Sequence, residues 1–514
     1  MKNVYLFRVK CVLKVFLLFY LFTFLPLSAR AQQRIPCVRN IPADMARTRG
    51  MLDYPITDWD PQKTYRQPVV LITFADCEFS KDDPAAYYQR LLNEPGYNEG
   101  HGQGSVADYF RDQSNGLFNV QFDIYGPVKV SEDAKVGSKD KYGDDAMKEA
   151  MSILNDSLDV DFTIYDWDGD GKVNQIIFIA AGFTGNQTSG YLWPNTSYTY
   201  LKAPGGIGIQ NVSISCELWK DGSSCGIGTI IHEFSHCLAL PDIYPTGGGG
   251  GFSVVDEWDL MDGGNYTNKG WCPPNYSALE KMLLGWKSPI ELTSETSITG
   301  MKSVSEGGDT YIIRNSGSDN EFYLLENRQQ DGWDYASPSR GLLIFHVDYD
   351  REIWSNNNVN ISKDHYRYSL FNADGKDYKT WDPAENGKDY SKYTVDDWMR
   401  NKYLSTSVYP FISDSLTVDL LTDESDPAAT LFKKNAEGEK LMSKPITNIR
   451  MAEDGTISFD FMKDPTSVDP IRRAASSAPD AWYDLNGSRL PSAPSRPGIY
   501  IRRSPDGTTR KVIK

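Results

Sequence analysis

At 514 residues, 40% hydrophobic and 24% charged, the chain has an ordinary globular composition and is longer than one hydrophobic core usually serves, so two or three domains are expected. Its formal net charge of −16 repels nucleic acid and anionic lipid, which excludes both as expected partners. The first 31 residues read as a signal peptide: Lys2, Arg8, Lys10 and Lys14 precede the apolar run 15–27, and Ala29-Arg30-Ala31 offers a small-x-small cleavage site. The alternative is an uncleaved anchor, for which the apolar run is short. Cleavage removes five positive charges and no negative ones, taking the net charge to −21. That acidity suits an exported, soluble chain or bound divalent cations, with a merely solvated surface as the blander account. Six cysteines remain, Cys37, Cys77, Cys216, Cys225, Cys237 and Cys272, enough for three disulfides outside the cell; only Cys216 with Cys225 is suggested by proximity.

Residues 32–65 form a lead-in or propeptide, and the folded chain begins near residue 66. The run 68–74 reads as a buried strand, Asp83-Pro84 as the cap of a helix over 85–92, 118–125 as a half-buried strand, 144–158 as a helix and 173–181 as an apolar strand. Beyond residue 290 the helical spacing fades. Short runs at 310–314, 321–326, 341–347 and 456–461 look like strands between turns. The fold class expected is α+β: a catalytic domain over 66–290, a β-rich, sandwich-like domain over 291–463, a linker over 464–479 rich in Ser, Pro, Ala and Arg, and a short C-terminal module over 480–514. No later segment could span a membrane.

Most of the functional information lies in Gly226-Ile-Gly-Thr-Ile-Ile-His232-Glu233-Phe-Ser-His236-Cys-Leu-Ala-Leu-Pro-Asp242. Ile227, Ile230, Ile231, Phe234 and Leu238 keep helical spacing, so His232 and His236 share one face and both imidazoles can reach a single ion. Neutral imidazoles suit Zn²⁺, which with three protein ligands keeps a position for water and lowers its pKa to roughly 7. Glu233 stands beside them as the general base that takes the proton of a zinc-bound water as it attacks a peptide carbonyl, and then delivers it to the leaving amine. With five His and 69 acidic residues, a shuffled chain would carry His-acid-x-x-His about 0.005 times. Proline at 241 ends the helix, and Asp242 beyond it can return to the metal as third ligand.

This pattern resembles the H-E-x-x-H-x-x-G-x-x-D signature of the immune-inhibitor-A family of secreted bacterial zinc metallopeptidases, a metzincin-like plan in which Asp replaces a third His. One position departs: Ala239 stands at the family's glycine, where positive φ would cost Ala about 1 kcal/mol. The resemblance runs on through Trp258-Asp-Leu-Met261-Asp-Gly-Gly-Asn-Tyr266, through Gly104-Ser-Val-Ala-Asp-Tyr-Phe-Arg-Asp-Gln-Ser114, and through Gly341-Leu-Leu-Ile-Phe-His346-Val-Asp348, over about residues 66 to 350. It implies a zincin-like catalytic fold with Met261 in a methionine turn beneath the metal. Tyr266 is a candidate oxyanion stabiliser, with a packing or surface role as the competing account.

A second cluster, Asp166-Trp-Asp168-Gly-Asp170-Gly171-Lys172-Val-Asn174, places oxygen donors as in the first half of a calcium loop: Asp166, Asp168, Asp170, the Lys172 carbonyl and Asn174, with Gly171 at the sharp turn. Ile177 stands where the bidentate Glu of an EF-hand would be, so an EF-hand is excluded. The choice left is a Ca²⁺ site completed from elsewhere or an Asp-rich turn. The tail, from Trp482 to Lys514, is similar to C-terminal segments of exported Bacteroidetes proteins, some of which direct secretion. That suggests such a source and the secretion machinery as a partner, with a disordered basic tail as the alternative. Lone His101 and His346 read as structural. Cys37 reads as a disulfide partner or free thiol in preference to a thiolate capping the zinc.

Together these residues describe a secreted zinc-dependent endopeptidase acting on proteins or peptides. The alternatives are a catalytically silent zinc-binding surface protein and a zinc hydrolase of nonpeptide amides.

Overall fold

The computed structural model describes residues 37–40, 59–157, 160–199, 201–246, 253–362, 364–376, 404–463, 481–484, 489–490, 492–496, 498–503 and 509–513. The expected signal peptide, most of the lead-in and the linker lie outside the described residues. Among the described residues no helix is long and apolar enough to cross a membrane. The chain is a mixed α/β protein with several sheets. It divides into two compact units, Met1–Met462 and Lys463–Lys514.

The first sheet of the larger unit has six strands: β1 Val38–Arg39, β2 Thr64–Thr73, β3 Asn119–Lys129, β4 Lys172–Phe183, β5 Asn195–Tyr198 and β6 Gly208–Leu218. Their spatial order is β1-β5-β6-β4-β2-β3. The pairs β3/β2, β2/β4 and β4/β6 are parallel, β5 runs antiparallel to β6, and β1 runs parallel to β5 at the edge. Parallel strands bury both faces, which is why β2 and β4 read as unbroken apolar runs. Alternation then deals their side chains to two cores. Val69, Leu71, Ile177 and Ile179 join one, and Val70, Ile72, Ile176 and Phe178 join the other.

Four of the helices pack on this sheet: α1 Pro84–Asn93, α2 Val106–Gln113, α3 Asp144–Ser157 and α4 Gly228–Cys237. Asp83 caps α1 by accepting the Ala86 N–H at 3.0 Å, and Ser105 with Asp108 forms a capping box on α2. Helix α3 covers the second core with Ala146, Met147, Ala150, Met151 and Leu154, while α1, α2 and α4 cover the first. The expected strands and helices are all present. β2 starts four residues earlier than 68, and β3 runs four residues beyond 125, where the pairing with β2 continues after an irregularity between Val70 and Ile72.

Past α5, Ala278–Leu283, strands outnumber helices among the described elements: β7 Ile290–Glu291, β8 Thr296–Met301, β9 Tyr311–Asn315, β10 Ser318–Arg328, β11 Gly341–Asp348, then α6 Arg351–Ser355, β12 Tyr368–Leu370, β13 Phe411–Ile412, β14 Thr417–Val418, β15 Ile446–Met451 and β16 Ile457–Phe461. Five of these form a sheet ordered β12-β11-β10-β9-β7, and three form a sheet ordered β15-β16-β8. The five-stranded sheet is apolar on both faces. Phe322, Leu324, Leu343, Phe345 and Val347 enter the core that also holds α4. Tyr323, Leu325, Leu342 and Ile344 turn the other way, onto Ile446, Ile457 and Phe459 of the three-stranded sheet. His346 in this sheet is structural, its Nε2 lying 2.9 Å from Glu321 Oε1. The smaller unit is one sheet ordered β18-β17-β19-β20, with β17 Ala481–Tyr483, β18 Arg489–Leu490, β19 Ile499–Arg503 and β20 Thr509–Ile513.

One expectation is corrected. All six described cysteines are free, Cys216 and Cys225 among them. The Cys225 N–H donates to the Glu217 carbonyl at 2.9 Å, which sets Cys225 opposite Glu217 and one residue out of register with Cys216. Neighbours along a strand face opposite sides, so proximity in sequence did not bring the two thiols together.

The sheet beyond residue 290 is fastened to the rest by a buried cation. The Arg328 guanidinium is fully buried, 2.9 Å from both Glu326 and Asp334. Glu326 also accepts the Ala278 N–H at the start of α5, and Asp334 accepts the backbone and side-chain N–H groups of Asn275. Arg328→Met leaves two carboxylates buried without their cation. We expect a loss of about 3–5 kcal/mol, read from the denaturant midpoint; an unchanged midpoint would show that the network contributes nothing to stability.

Candidate metal centre

Helix α4 is set by its apolar stripe, with Ile230, Ile231 and Phe234 buried in the main core. Each such side chain contributes roughly 1.5–3 kcal/mol of burial. Its start needs glycine. A Cβ on Gly228 would stand 2.0 Å from the Asn265 carbonyl oxygen, so nothing larger lets the helix approach the 264–270 loop. Its end is a Schellman turn: the Ala239 N–H donates to the His236 carbonyl at 3.0 Å and the Leu240 N–H to the Ser235 carbonyl at 3.1 Å. Ala239 takes φ +76, the left-handed value anticipated from the glycine pattern. The strain is accepted because the turn sends the chain back along the helix.

Three donor atoms converge as a result. His232 Nε2 and His236 Nε2 are 3.2 Å apart, and Asp242 Oδ1 lies 3.4 Å from the first and 3.1 Å from the second. Each imidazole is oriented from its other nitrogen, Nδ1 of His232 on the Leu260 carbonyl at 2.9 Å and Nδ1 of His236 on the Leu240 carbonyl at 2.8 Å. Asp242 is held by its second oxygen, which accepts the Asn357 side-chain N–H at 2.6 Å and the Cys37 backbone N–H at 3.2 Å. Oδ1 is buried with no hydrogen-bond partner. Ligands placed about 2.0–2.1 Å from one tetrahedral ion stand roughly 3.3–3.4 Å from one another. The donors therefore fit such an ion. Cys37 Sγ belongs to the same group, all of whose ligand atoms lie within 4.8 Å of one another.

The electrostatics point the same way. Burial opposes charge on His232, but the hydrogen bond to Asp242 and the charges of Glu233 and Asp242 overcome it and hold its pKa up at about 9. Burial alone would raise Asp242; the two imidazoles outweigh it and push its pKa down. The pocket thus concentrates negative charge. One proton on His232 answers a single contact, whereas an ion in the middle satisfies all three donors. Burial pushes the Glu233 carboxyl up to about 8, with Asp242 adding to the rise and His232 opposing it. Thr196 on β5 holds this carboxyl, its hydroxyl lying 3.0 Å from Oε2 and 2.7 Å from the Glu233 carbonyl. Glu233 is 1% exposed.

Met261 is fully buried; its N–H donates to Asp259 at 2.8 Å and its carbonyl accepts the Ile243 N–H at 2.9 Å, beside the Leu260 carbonyl that holds His232. Tyr266 lies elsewhere on the loop, 41% exposed, its hydroxyl accepting from Asn186 at 3.2 Å. Tyr244 was not anticipated; its ring is 6.5 Å from that of His232, and its hydroxyl is 2.9 Å from Cys37 Sγ. Asn357 and Thr196 were also missed. They lie 115 residues after Asp242 and 37 before Glu233, and no local pattern marks either.

The second cluster forms a compact turn. Ligand oxygens of Asp166, Asp168 and Asp170 lie within 4.8 Å of one another, and Gly171 has φ +82. Asp166 accepts backbone N–H groups from Gly169 and Gly171 at 2.7 and 2.8 Å, Asn174 Oδ1 accepts from Trp167 N–H at 2.5 Å, and Lys172 Nζ is 3.5 Å from Asp170.

Comparison with known proteins agrees with this geometry. The profile of the immune inhibitor A peptidase M6 catalytic domain matches residues 211–285. The chain is 25% identical over 286 residues to Immune inhibitor A of Bacillus thuringiensis subsp. alesti, an alignment covering 44% of this chain and 41% of that relative. It is 20% identical over 272 residues to the pre-pro-metalloprotease PrtV of Vibrio cholerae serotype O1 (strain M66-2), covering 46% of this chain and 29% of the relative. The chain thus spans less than half the length of the curated relatives it matches, and nothing in these matches supports the bacterial lineage suggested by the tail. His232, Glu233, His236 and Asp242 all lie inside the matched residues, so the segment that carries the candidate metal centre is similar to the catalytic domain of the immune inhibitor A, or M6, metallopeptidases.

Proposed function

We propose that the protein is a secreted zinc-dependent endopeptidase in which His232, His236 and Asp242 hold the metal and Glu233 is the general base. The observation that carries this reading is the convergence of two Nε2 atoms and an unpartnered carboxylate oxygen at 3.1–3.4 Å inside the buried core. The Nδ1 contacts orient both Nε2 atoms toward the ion, whose binding displaces the proton that His232 holds in its absence. When bound, zinc supplies Lewis acidity, polarising a carbonyl and lowering the pKa of water to roughly 7. Glu233, raised by burial to about 8, accepts the proton of the attacking water and passes it to the departing amine nitrogen. Thr196 fixes that carboxyl by donating its hydroxyl to Oε2.

Residues 66–290 form the zincin-like catalytic domain on this reading, with Met261 in the methionine turn, and 291–463 its β-rich partner. Tyr266 is the candidate for meeting the oxyanion. Its exposed hydroxyl would have to swing from Asn186 to do so. Protein or peptide substrates follow from the endopeptidase reading, and export from residues 1–31. Asp166, Asp168 and Asp170, with the Lys172 carbonyl and Asn174, are proposed as a structural Ca²⁺ site in which Asn174 would release the Trp167 N–H.

His232→Ala and His236→Ala should each abolish zinc retention on gel filtration, since two protein donors do not hold the ion against water; stoichiometric zinc in either variant refutes the assignment. Asn357→Ala should keep the fold and weaken zinc about 10–100-fold, by freeing the Asp242 carboxylate to rotate. Glu233→Gln should keep zinc and lose at least about 10²-fold in kcat on casein, because Gln cannot take the proton. A zinc-loaded Gln variant digesting casein at the parent's rate would eliminate the mechanism. For calcium, a chelator too weak to strip zinc should lower Tm, calcium should restore it, and Asp166→Ala with Asp168→Ala should erase the response. A response that persists in the double variant places the ion elsewhere.

A further inference from the structure

The site that fits the metal is closed to substrate, and the closure has an identifiable cause. Glu233 is 1% exposed and His232 2%. A peptide bond cannot reach groups so covered. Among the described residues the segment 37–40 lies against this site: it comes from far upstream and joins the edge of the six-stranded sheet, with Val38 opposite Thr196 and Arg39 opposite Ser197. The Cys37 carbonyl accepts the Thr196 N–H at 2.8 Å. Thr196 is the residue whose hydroxyl holds Glu233, so the segment lies directly over the proposed base.

Each of its residues is tied down. Arg39 donates from Nε to Asn195 at 2.9 Å, makes a two-pronged contact with Asp144 at 3.1 and 2.8 Å, and lies 4.3 Å from the Tyr142 ring centre. Asn40 donates to Ser197 Oγ at 3.0 Å. Cys37 is the innermost. Its N–H reaches Asp242 Oδ2 at 3.2 Å, and its thiol is 2.9 Å from the Tyr244 hydroxyl and in the same donor group as His232, His236 and Asp242. Independently of Cys37, Asp242 Oδ1 is buried with only the two imidazole Nε2 atoms beside it, at 3.4 and 3.1 Å, and receives no well-formed hydrogen bond, which suits a ligand ion in this space. With three protein donors, zinc has one position left, and a thiolate is among the strongest donors it can take. Sγ is no more than 4.8 Å from the other donor atoms, against about 3.6 Å for sulfur and nitrogen on one tetrahedral zinc. A side-chain adjustment of about 1 Å closes that gap.

We propose that Cys37 is the fourth ligand of the metal centre and that residues 37–40 are an autoinhibitory strap, holding the peptidase latent until the strap is removed or the thiol is blocked. The proposal rests on the zinc-peptidase reading above. Coordination breaks the S–H bond and forms a metal–sulfur bond; the proton passes to water, and no oxidant or reductant is needed. While the sulfur is bound, neither water nor substrate carbonyl can take that position, and Glu233 has nothing to deprotonate. Latency and catalysis therefore exclude each other at one coordination site.

The test uses the full chain with zinc replaced by Co²⁺. The parent should bind one cobalt and show the intense near-ultraviolet band of thiolate-to-cobalt charge transfer. Cys37→Ala and Cys37→Ser should bind cobalt equally and lack the band, and in zinc form should digest casein at least about tenfold faster than the parent, as expected when an intramolecular ligand occupies more than nine-tenths of the molecules. In the parent, the Cys37 peptide should resist iodoacetamide until zinc is chelated. A stoichiometric cobalt parent with no charge-transfer band, a band that survives in both variants, or a Cys37 equally alkylated with and without metal would each overturn Cys37 ligation while leaving the peptidase reading intact. Loss of the band without a gain in activity in either variant would overturn the latency. A parent that binds no metal would sink both readings. The parent's spectrum and labelling decide the ligation even if a variant fails to fold.

Discussion

The protein is organised around the need to hold three electron-rich atoms within 3.1–3.4 Å of one another in a place without bulk water. Left to themselves two imidazole lone pairs and a carboxylate oxygen repel, and a flexible chain would swing them apart into solvent. Every element near them resists that. Two backbone carbonyls fix the rings, the Asn357 amide and the Cys37 backbone N–H fix the carboxylate, and the Schellman turn at Ala239 places the segment that carries both the Leu240 carbonyl and Asp242. The left-handed φ of Ala239, at about 1 kcal/mol, is small beside the cost of leaving a buried carboxylate without partners, which is several kcal/mol.

This arrangement uses residues far apart along the large unit. Asn357 closes a two-way contact with Asp242, donating from Nδ2 to Oδ2 and accepting the Asp242 N–H, each at 2.6 Å. Its carbonyl accepts the Thr246 hydroxyl as well. Asn357 follows α6, which the β10–β11 pair positions, and that pair lies on the same core as α4. The five-stranded sheet is therefore part of what orients Asp242, through Asn357 at one point and through Arg328 under α5 at another. Damage to that sheet should be felt at the metal before it is felt as global unfolding, because local stability varies across a fold and the shorter of the carboxylate's two hydrogen bonds comes from Asn357.

What the sequence revealed and concealed follows from how local each signal is. Helical spacing around His232, the cap at Asp83 and the apolar runs of β2 and β4 are properties of ten consecutive residues, and each stands where its pattern put it. Ala239 was readable too, because a chain leaving a helix for a return turn needs positive φ whichever residue is there. Thr196 and Asn357 were invisible: a single Thr or Asn in a polar stretch looks the same whether it faces water or a catalytic carboxylate. The disulfide expectation failed for a related reason, since strand register decides which way a thiol points and spacing along the chain does not. Cys37 is the intermediate case. Its sequence context, a short lead-in with Pro and Arg, gave no reason to bring it to the metal, and only its pairing beside β5 does so.

Burial supplies the last constraint. The proposed base is raised to about 8 chiefly because water has been excluded from it, so its readiness to hold a proton near neutral pH is a product of the same enclosure that keeps substrate out. Opening the site must then do two things together. It exposes the metal's remaining position, and it rehydrates Glu233, lowering its affinity for the proton toward the ordinary carboxylate range unless the substrate itself restores the seal. A peptide lying along β5 in place of residues 37–40 would do so. It would pair with the same edge, cover the same carboxyl and bring its carbonyl where the thiol had been. If residues 37–40 act as the proposed strap, a substrate strand paired with β5 would occupy the edge where Val38 and Arg39 now lie opposite Thr196 and Ser197.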